Sequence, residues 1–204
     1  MQNRDRLSIV FDNNFSARAH PREQQSEIVR RFRLGNSNHT ISHSNYYTRR
    51  LQTVSPAKLN RMETHSSVGA MADAYAQKAV IIAREFNASL DFSENSLMEL
   101  EGILAQLALD LPPGGPSSDD LTEMCKMWGS YFGEVVRRRF GGDWSIETYP
   151  GKQFATLTLT VAGNRLFPSM KIHRRLTGGE ADNVWSFYKM VRAKLETTAG
   201  TKIQ

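Results

Sequence analysis

Cysteine is almost absent from this chain of 204 residues, in which Cys125 is the only one. A single cysteine forms no intrachain disulfide and does not supply the thiolates of a cysteine-based zinc site, which excludes the disulfide-stapled secreted modules. Long apolar runs are also missing: none approaches the roughly 18 residues of a transmembrane helix, and residues 1–20 lack the apolar core of a secretory signal. We therefore expect synthesis in the cytosol, a cytoplasmic location and no membrane span.

Acidic and large apolar side chains are scarce in the first third of the chain. Residues 1–66 carry 11 Lys and Arg against 5 Asp and Glu, whereas residues 67–204 carry 15 against 16, so the net charge of +5 belongs to the N-terminal segment. A segment with so few large apolar side chains cannot bury enough surface to offset its chain entropy. We predict a disordered basic arm over residues 1–66 and a folded domain over residues 67–204.

Apolar residues recur at spacings of three and four in the first part of this domain, which predicts three helices. The first is predicted to bury one stripe of side chains: Met71, Tyr75, Ala79, Ile82 and Phe86. The second begins after a cap at Ser93, and the third ends near Gly141.

The apolar period then changes to two, which indicates a β-hairpin around Pro150 and Gly151. A short third strand at residues 165–167 and a helix starting at Pro168 follow, and Asp182 is expected to cap a last helix. Helices grouped apart from strands, without βαβ alternation, predict an α+β fold in which helices flank a small antiparallel sheet.

Two separated blocks of sequence resemble a known pattern. The first runs from Trp128 to Trp144 and includes Gly-Ser-Tyr-Phe-Gly-Glu, and the second runs from Leu166 through Arg174-Arg175-Leu176 to Tyr188. Over residues 91–196 the chain resembles an uncharacterised bacterial family, the domain of unknown function 3806. The resemblance implies a bacterial source and the α+β architecture, and it assigns no catalytic residue.

Cys125 and His173 are the only Cys and His of the predicted domain, and a thiolate paired with an imidazole is a workable nucleophile. The alternative is that Cys125 lies on the apolar stripe of its helix, where a buried thiol behaves as a small hydrophobe. We favour the core position.

Glu134 is a second catalytic candidate, since it could form an acid and base pair with Asp143, Glu147 or Glu123. The commoner outcome for a glutamate at this helical position is a salt bridge to Arg137 or Arg138. No phosphate-binding loop and no metal-ligand spacing is present, so we predict no cofactor and no metal site.

Two basic clusters lie near predicted helix ends and are candidate binding residues: Arg137, Arg138 and Arg139 in one, and Lys171, Arg174 and Arg175 in the other. Together they could form a patch for phosphate or an acidic partner. Arginine also complements the dipole at a helix C-terminus, which gives these clusters a purely structural explanation.

These observations favour a protein-interaction module over an enzyme, with a protein partner that the sequence does not identify. One alternative is a secreted, effector-like protein whose arm is an export leader for a specialised secretion system. Another is a binder of nucleic acid or a similar anionic polymer through the basic arm.

Overall fold

The computed structural model of the chain describes residues 67–111 and 118–200, so the predicted arm over residues 1–66 lies outside it. The described residues contain five α-helices and three strands: α1 Val68–Ala83, α2 Ser96–Asp110, α3 Ser118–Phe140, β1 Asp143–Thr148, β2 Ala155–Val161, β3 Asn164–Leu166, α4 Pro168–Gly178 and α5 Val184–Gly200. The strands form one antiparallel sheet in the order β1-β2-β3. The predicted α+β class is confirmed.

Helix α3 is the centre of the fold and contacts α1, α4 and β2. Every residue from Met127 to Val136 is buried, so this part of α3 is enclosed on all sides rather than along one stripe. Helix α2 packs on α4 and α5 at the other side of the core.

Two glycines one helical turn apart, Gly129 and Gly133, let neighbours approach α3 closely. A Cβ at Gly129 would lie 2.7 Å from the backbone of Ser169, at the start of α4. A Cβ at Gly133 would overlap the ring of Trp144 on β1. Because carbon atoms in contact are normally about 3.5–4.0 Å apart, only glycine fits at either position without displacement of its neighbour.

Helix α1 buries small side chains against α3, and the predicted stripe was wrong in its first half. The buried residues of this helix are Ala72, Ala76, Ala79, Ile82 and Ala83. Met71 and Tyr75, predicted to be buried, are only half-buried. The alanine face lets α1 come close to α3, and the larger side chains are thereby turned toward one edge of the interface.

The β1–β2 hairpin has an apolar face that becomes more exposed toward its turn. Cross-strand partners on this face are Trp144 with Leu159, then Ile146 with Leu157. Leu159 is fully buried and Trp144 packs against the core, whereas Ile146 is exposed. The helical layer therefore covers only the part of the sheet that is distant from the turn.

Asn183, and not the predicted Asp182, caps helix α5. The Asn183 side-chain oxygen accepts a hydrogen bond from the Ser186 N–H at 2.8 Å. Asp182 lies in the preceding short 3-10 turn, Glu180–Asp182, and binds Lys171 instead. Among the described helices, none is long and apolar enough to cross a membrane.

Candidate functional site

The first predicted basic cluster, at the end of α3, is paired with carboxylates. Arg137 donates two hydrogen bonds to Glu134, and Arg138 lies 3.5 Å from the same carboxylate. Arg139 donates to Glu94 at 2.9 Å. The guanidinium groups remain partly exposed, but their charge is largely balanced within the domain.

The second cluster, on α4, points mostly into the protein. Lys171 and Arg175 are buried. Lys171 donates to Asp182 at 2.9 Å and Arg175 donates to Glu101 at 2.6 Å. Arg174 is partly exposed and lies 3.5 Å from Asp182. Two of the three predicted binding residues on α4 therefore connect elements of the core.

The Glu101 carboxylate joins three parts of the fold. It lies on α2, accepts from Arg175 on α4, and accepts from the backbone N–H of Val184 at 2.7 Å, at the start of α5. Burial raises the pKa of Glu101, and the guanidinium with the Val184 N–H opposes that rise. Because both carboxylate oxygens are occupied, this pair is a packing feature rather than a free acid.

Glu134 is fully buried and, like Glu101, has a carboxylate that is occupied by hydrogen bonds within the domain. Its carboxylate accepts from Arg137 and from the indole N–H of Trp144, at 2.7 Å in each case to Oε1. Burial acts to raise the pKa of Glu134, but the hydrogen bonds from Arg137 and Trp144 outweigh it and lower the pKa below its usual range. The sequence expectation of a salt bridge to Arg137 or Arg138 is confirmed.

Cys125 and His173 border the same groove, so the fold does bring them to one place. Within the described part of the chain, however, no hydrogen bond joins them. Cys125 is buried, and burial raises the pKa of its thiol to about 12. The thiol is therefore protonated at neutral pH, which is the state expected of a core cysteine and not of a nucleophile.

That groove is a concave feature of the described residues with a mainly apolar lining. It has a volume of about 670 Å³ and lies between α1, α3, α4 and the hairpin. Its apolar side chains come from all four: Met71, Tyr75, Cys125, Ile146, Phe154, Ala155, Leu157 and Met170. It forms where the hairpin extends beyond the helical layer, and its size is typical of a binding site.

Among the described residues, the polar side chains that line the groove carry hydroxyl, amine or imidazole groups and no carboxylate. They are Thr122, Lys126, Lys152, Thr156, Ser169 and His173. Ser169 is buried, and its hydroxyl has no hydrogen-bond partner in the described structure. It is one of five buried side-chain polar atoms without a partner among the described residues, and Ser169 alone of these five residues lines the groove. A ligand in the groove can supply the missing partner.

The groove could not be recognised from sequence, because its lining comes from four elements that are distant along the chain. The sequence does contain the separate apolar residues that line the groove. Ile146 and Phe154 are large apolar residues beside a turn, and Met71 and Tyr75 are large residues on a helix whose close-packed face is alanine. Within residues 67–111 and 118–200, no group of three or more His, Cys, Asp and Glu side chains is arranged to hold a metal ion.

Comparisons of the chain with protein-family models, with curated proteins and with solved structures find no match. The resemblance to the bacterial family of domains of unknown function therefore stays a prediction.

Proposed function

We propose that the domain is a protein-interaction module and that the groove between the helices and the β1–β2 hairpin is its binding surface. The observation that carries the proposal is the exposure of large apolar side chains at this groove. Ile146 is 53% exposed and Phe154 is 44% exposed, and both border it. Exposed large apolar side chains grouped in one concavity are typical of interaction sites.

The proposal is also supported by the protonation and the hydrogen bonding of the other candidate residues. The Cys125 thiol is protonated at neutral pH, and the Glu134 carboxylate is occupied by Arg137 and Trp144. Neither group offers the free acid, base or nucleophile that a catalytic site needs. The basic clusters are engaged with carboxylates, which favours a site elsewhere on the domain.

The test compares capture of partner proteins by the full chain and by groove variants. Ile146→Asp and Phe154→Asp each place a negative charge at the groove. The control, Leu109→Asp, places the same charge at a residue that is 79% exposed and does not border the groove. We expect a partner retained by the wild type and by Leu109→Asp to be lost by both groove variants. The identified partner is then purified, and its dissociation constant is measured with all four chains.

A thermal melt of each variant separates loss of binding from loss of folding. Phe154 stacks on Tyr149, with ring centroids 5.9 Å apart, so Phe154→Asp is expected to lower stability slightly, and Ile146→Asp serves as the second variant. Partners that bind the folded groove variants as tightly as the wild type would refute the proposal.

A further inference from the structure

We propose, resting on the proposed function, that the partner segment which enters the groove is an acidic apolar peptide. Its apolar side chains would contact Ile146, Phe154 and Leu157, and its carboxylate would be bound by Lys126 and Lys152, with the Ser169 hydroxyl supplying a hydrogen bond. Three features of the groove favour such a segment: the charge of its lining, two lysines without an ion pair, and a serine hydroxyl without a partner among the described residues.

The charge of the lining is of one sign. Among the described residues, Lys126 and Lys152 border the groove and no Asp or Glu side chain does. An ammonium group at the border of an apolar surface attracts a carboxylate more strongly than it would in open water, because the surrounding dielectric is lower. Charge complementarity therefore favours an acidic partner segment and disfavours a basic one.

Most cations of the described residues form an ion pair with a carboxylate, whereas the two lysines at the groove form none with a described carboxylate. Across the described ranges, ion pairs engage Lys78, Arg137, Arg138, Arg139, Arg165, Lys171, Arg174, Arg175 and Arg192. No described carboxylate lies within ion-pair distance of Lys126 or Lys152. The domain thus leaves positive charge unbalanced at its apolar groove.

Ser169 is an independent indication of a ligand. It is only 6% exposed and borders the groove in the first turn of α4, and its hydroxyl has no partner among the described residues. Its backbone is fixed against Gly129 on α3, so the residue is held in place by contacts that do not involve the hydroxyl. A buried donor held in this way is satisfied when a ligand oxygen enters the groove.

A peptide fits this site better than a small amphipathic molecule does. Two large apolar side chains, Ile146 and Phe154, lie at the open border and are about half exposed. A small molecule held in a typical pocket is enclosed over most of its surface, whereas a chain can cover the border residues and continue beyond the groove.

The experiment selects peptides from a random display library on the full chain and measures their binding by fluorescence anisotropy. We expect the selected sequences to combine large apolar residues with Asp or Glu. Lys126→Glu and Lys152→Glu should each weaken binding on the order of tenfold, because like charges across an interface repel. Lys189→Glu is the matched control, since Lys189 is an exposed lysine outside the groove.

Ser169→Ala is a further variant that leaves the fold intact. It removes a hydroxyl that has no partner within residues 67–111 and 118–200, so the melting temperature is expected to stay unchanged or to rise, while peptide binding weakens several-fold. Weaker binding without loss of stability is a result that a purely structural role for Ser169 would not produce.

The outcomes separate this inference from the proposed function. Binding that is lost in Ile146→Asp but kept in both lysine variants would overturn the acidic peptide and leave the interaction module in place. Peptides without acidic residues would overturn it as well. Binding that all groove variants retain would overturn both proposals. Failure to select any peptide, together with measurable binding of dodecanoate at the groove, would assign the site to a small apolar carboxylate and overturn the inference.

Discussion

The indole N–H of Trp144 on β1 donates a hydrogen bond to the buried carboxylate of Glu134 on α3, with a distance of 2.7 Å between the nitrogen and the oxygen. The ring of Trp144 lies directly over Gly133, the residue before Glu134. One residue therefore provides the acceptor that fixes the indole, and its neighbour provides the space that the ring occupies. This pairing attaches the first strand of the sheet to the central helix.

Glu134→Gln is expected to lower the free energy of unfolding by about 2 kcal/mol. The amide keeps the shape of the side chain but loses the charge that Arg137 and Arg138 bind, and the partial exposure of both arginines limits the loss. Urea denaturation measures the change. The control is Glu99→Gln on the exposed side of α2, for which a change within about 0.5 kcal/mol is expected. Equal effects of the two substitutions would contradict the role of Glu134.

The contribution of Glu134 is expected to depend on pH. The pKa of Glu134 in the folded chain lies below the usual 4.5. Between the lowered pKa and the usual one, the unfolded chain binds more protons than the folded chain, so the stability of the fold rises with pH in this range. The stability difference between the wild type and Glu134→Gln should therefore be complete above the usual pKa. It should decrease as the pH falls through the lowered pKa. If the stability difference between the wild type and Glu134→Gln increased as the pH falls, the pKa of Glu134 would be raised in the folded chain and not lowered.

Gly129→Ala is expected to destabilise the domain by about 1–3 kcal/mol, since the new methyl group would meet the backbone of Ser169, which cannot rotate away as a side chain can. Gly69→Ala is the matched control within another helix, where the nearest atom to the added methyl group is 3.9 Å away. Alanine has the higher helix propensity, so the control should gain up to about 1 kcal/mol. We expect the free energy of unfolding to fall in Gly129→Ala and to rise in Gly69→Ala. Destabilisation of both variants to the same extent would argue against close packing at Gly129.

The elements could be predicted from the sequence because their signals are local. The end of α3 is predicted by the glycines that follow its apolar stripe, and the start of α4 is predicted by Pro168. Both predictions agree closely with the structure. The predicted cap of α5 is wrong by one residue. Asp182 and Asn183 are both good caps, and the local sequence does not show that Lys171 and Arg174, from α4, bind Asp182.

The distribution of charge and of burial could not be predicted, because it depends on contacts between distant residues. Arg175 and Glu101 are 74 positions apart, and nothing in either local sequence indicates that they bind each other. Met71 and Tyr75 were expected in the core because they are large and apolar. The alanines beside them pack better against α3, and the larger side chains border the groove instead.

The reactivity of the Cys125 thiol distinguishes a core cysteine from a catalytic one. Burial raises the pKa of this thiol from 9.0 to about 12, so the reactive thiolate is far rarer in the folded chain than in the unfolded one at pH 8. A more basic thiolate is also more nucleophilic, which compensates in part, and restricted access slows the reaction further. We expect alkylation by iodoacetamide to be about a hundredfold slower in the native chain than in denaturant, because access requires local opening. The rate should be the same in His173→Ala, since no hydrogen bond connects the two side chains within the described residues. Native labelling as fast as in denaturant, and slowed by His173→Ala, would restore the Cys125 and His173 pair as a candidate catalytic site.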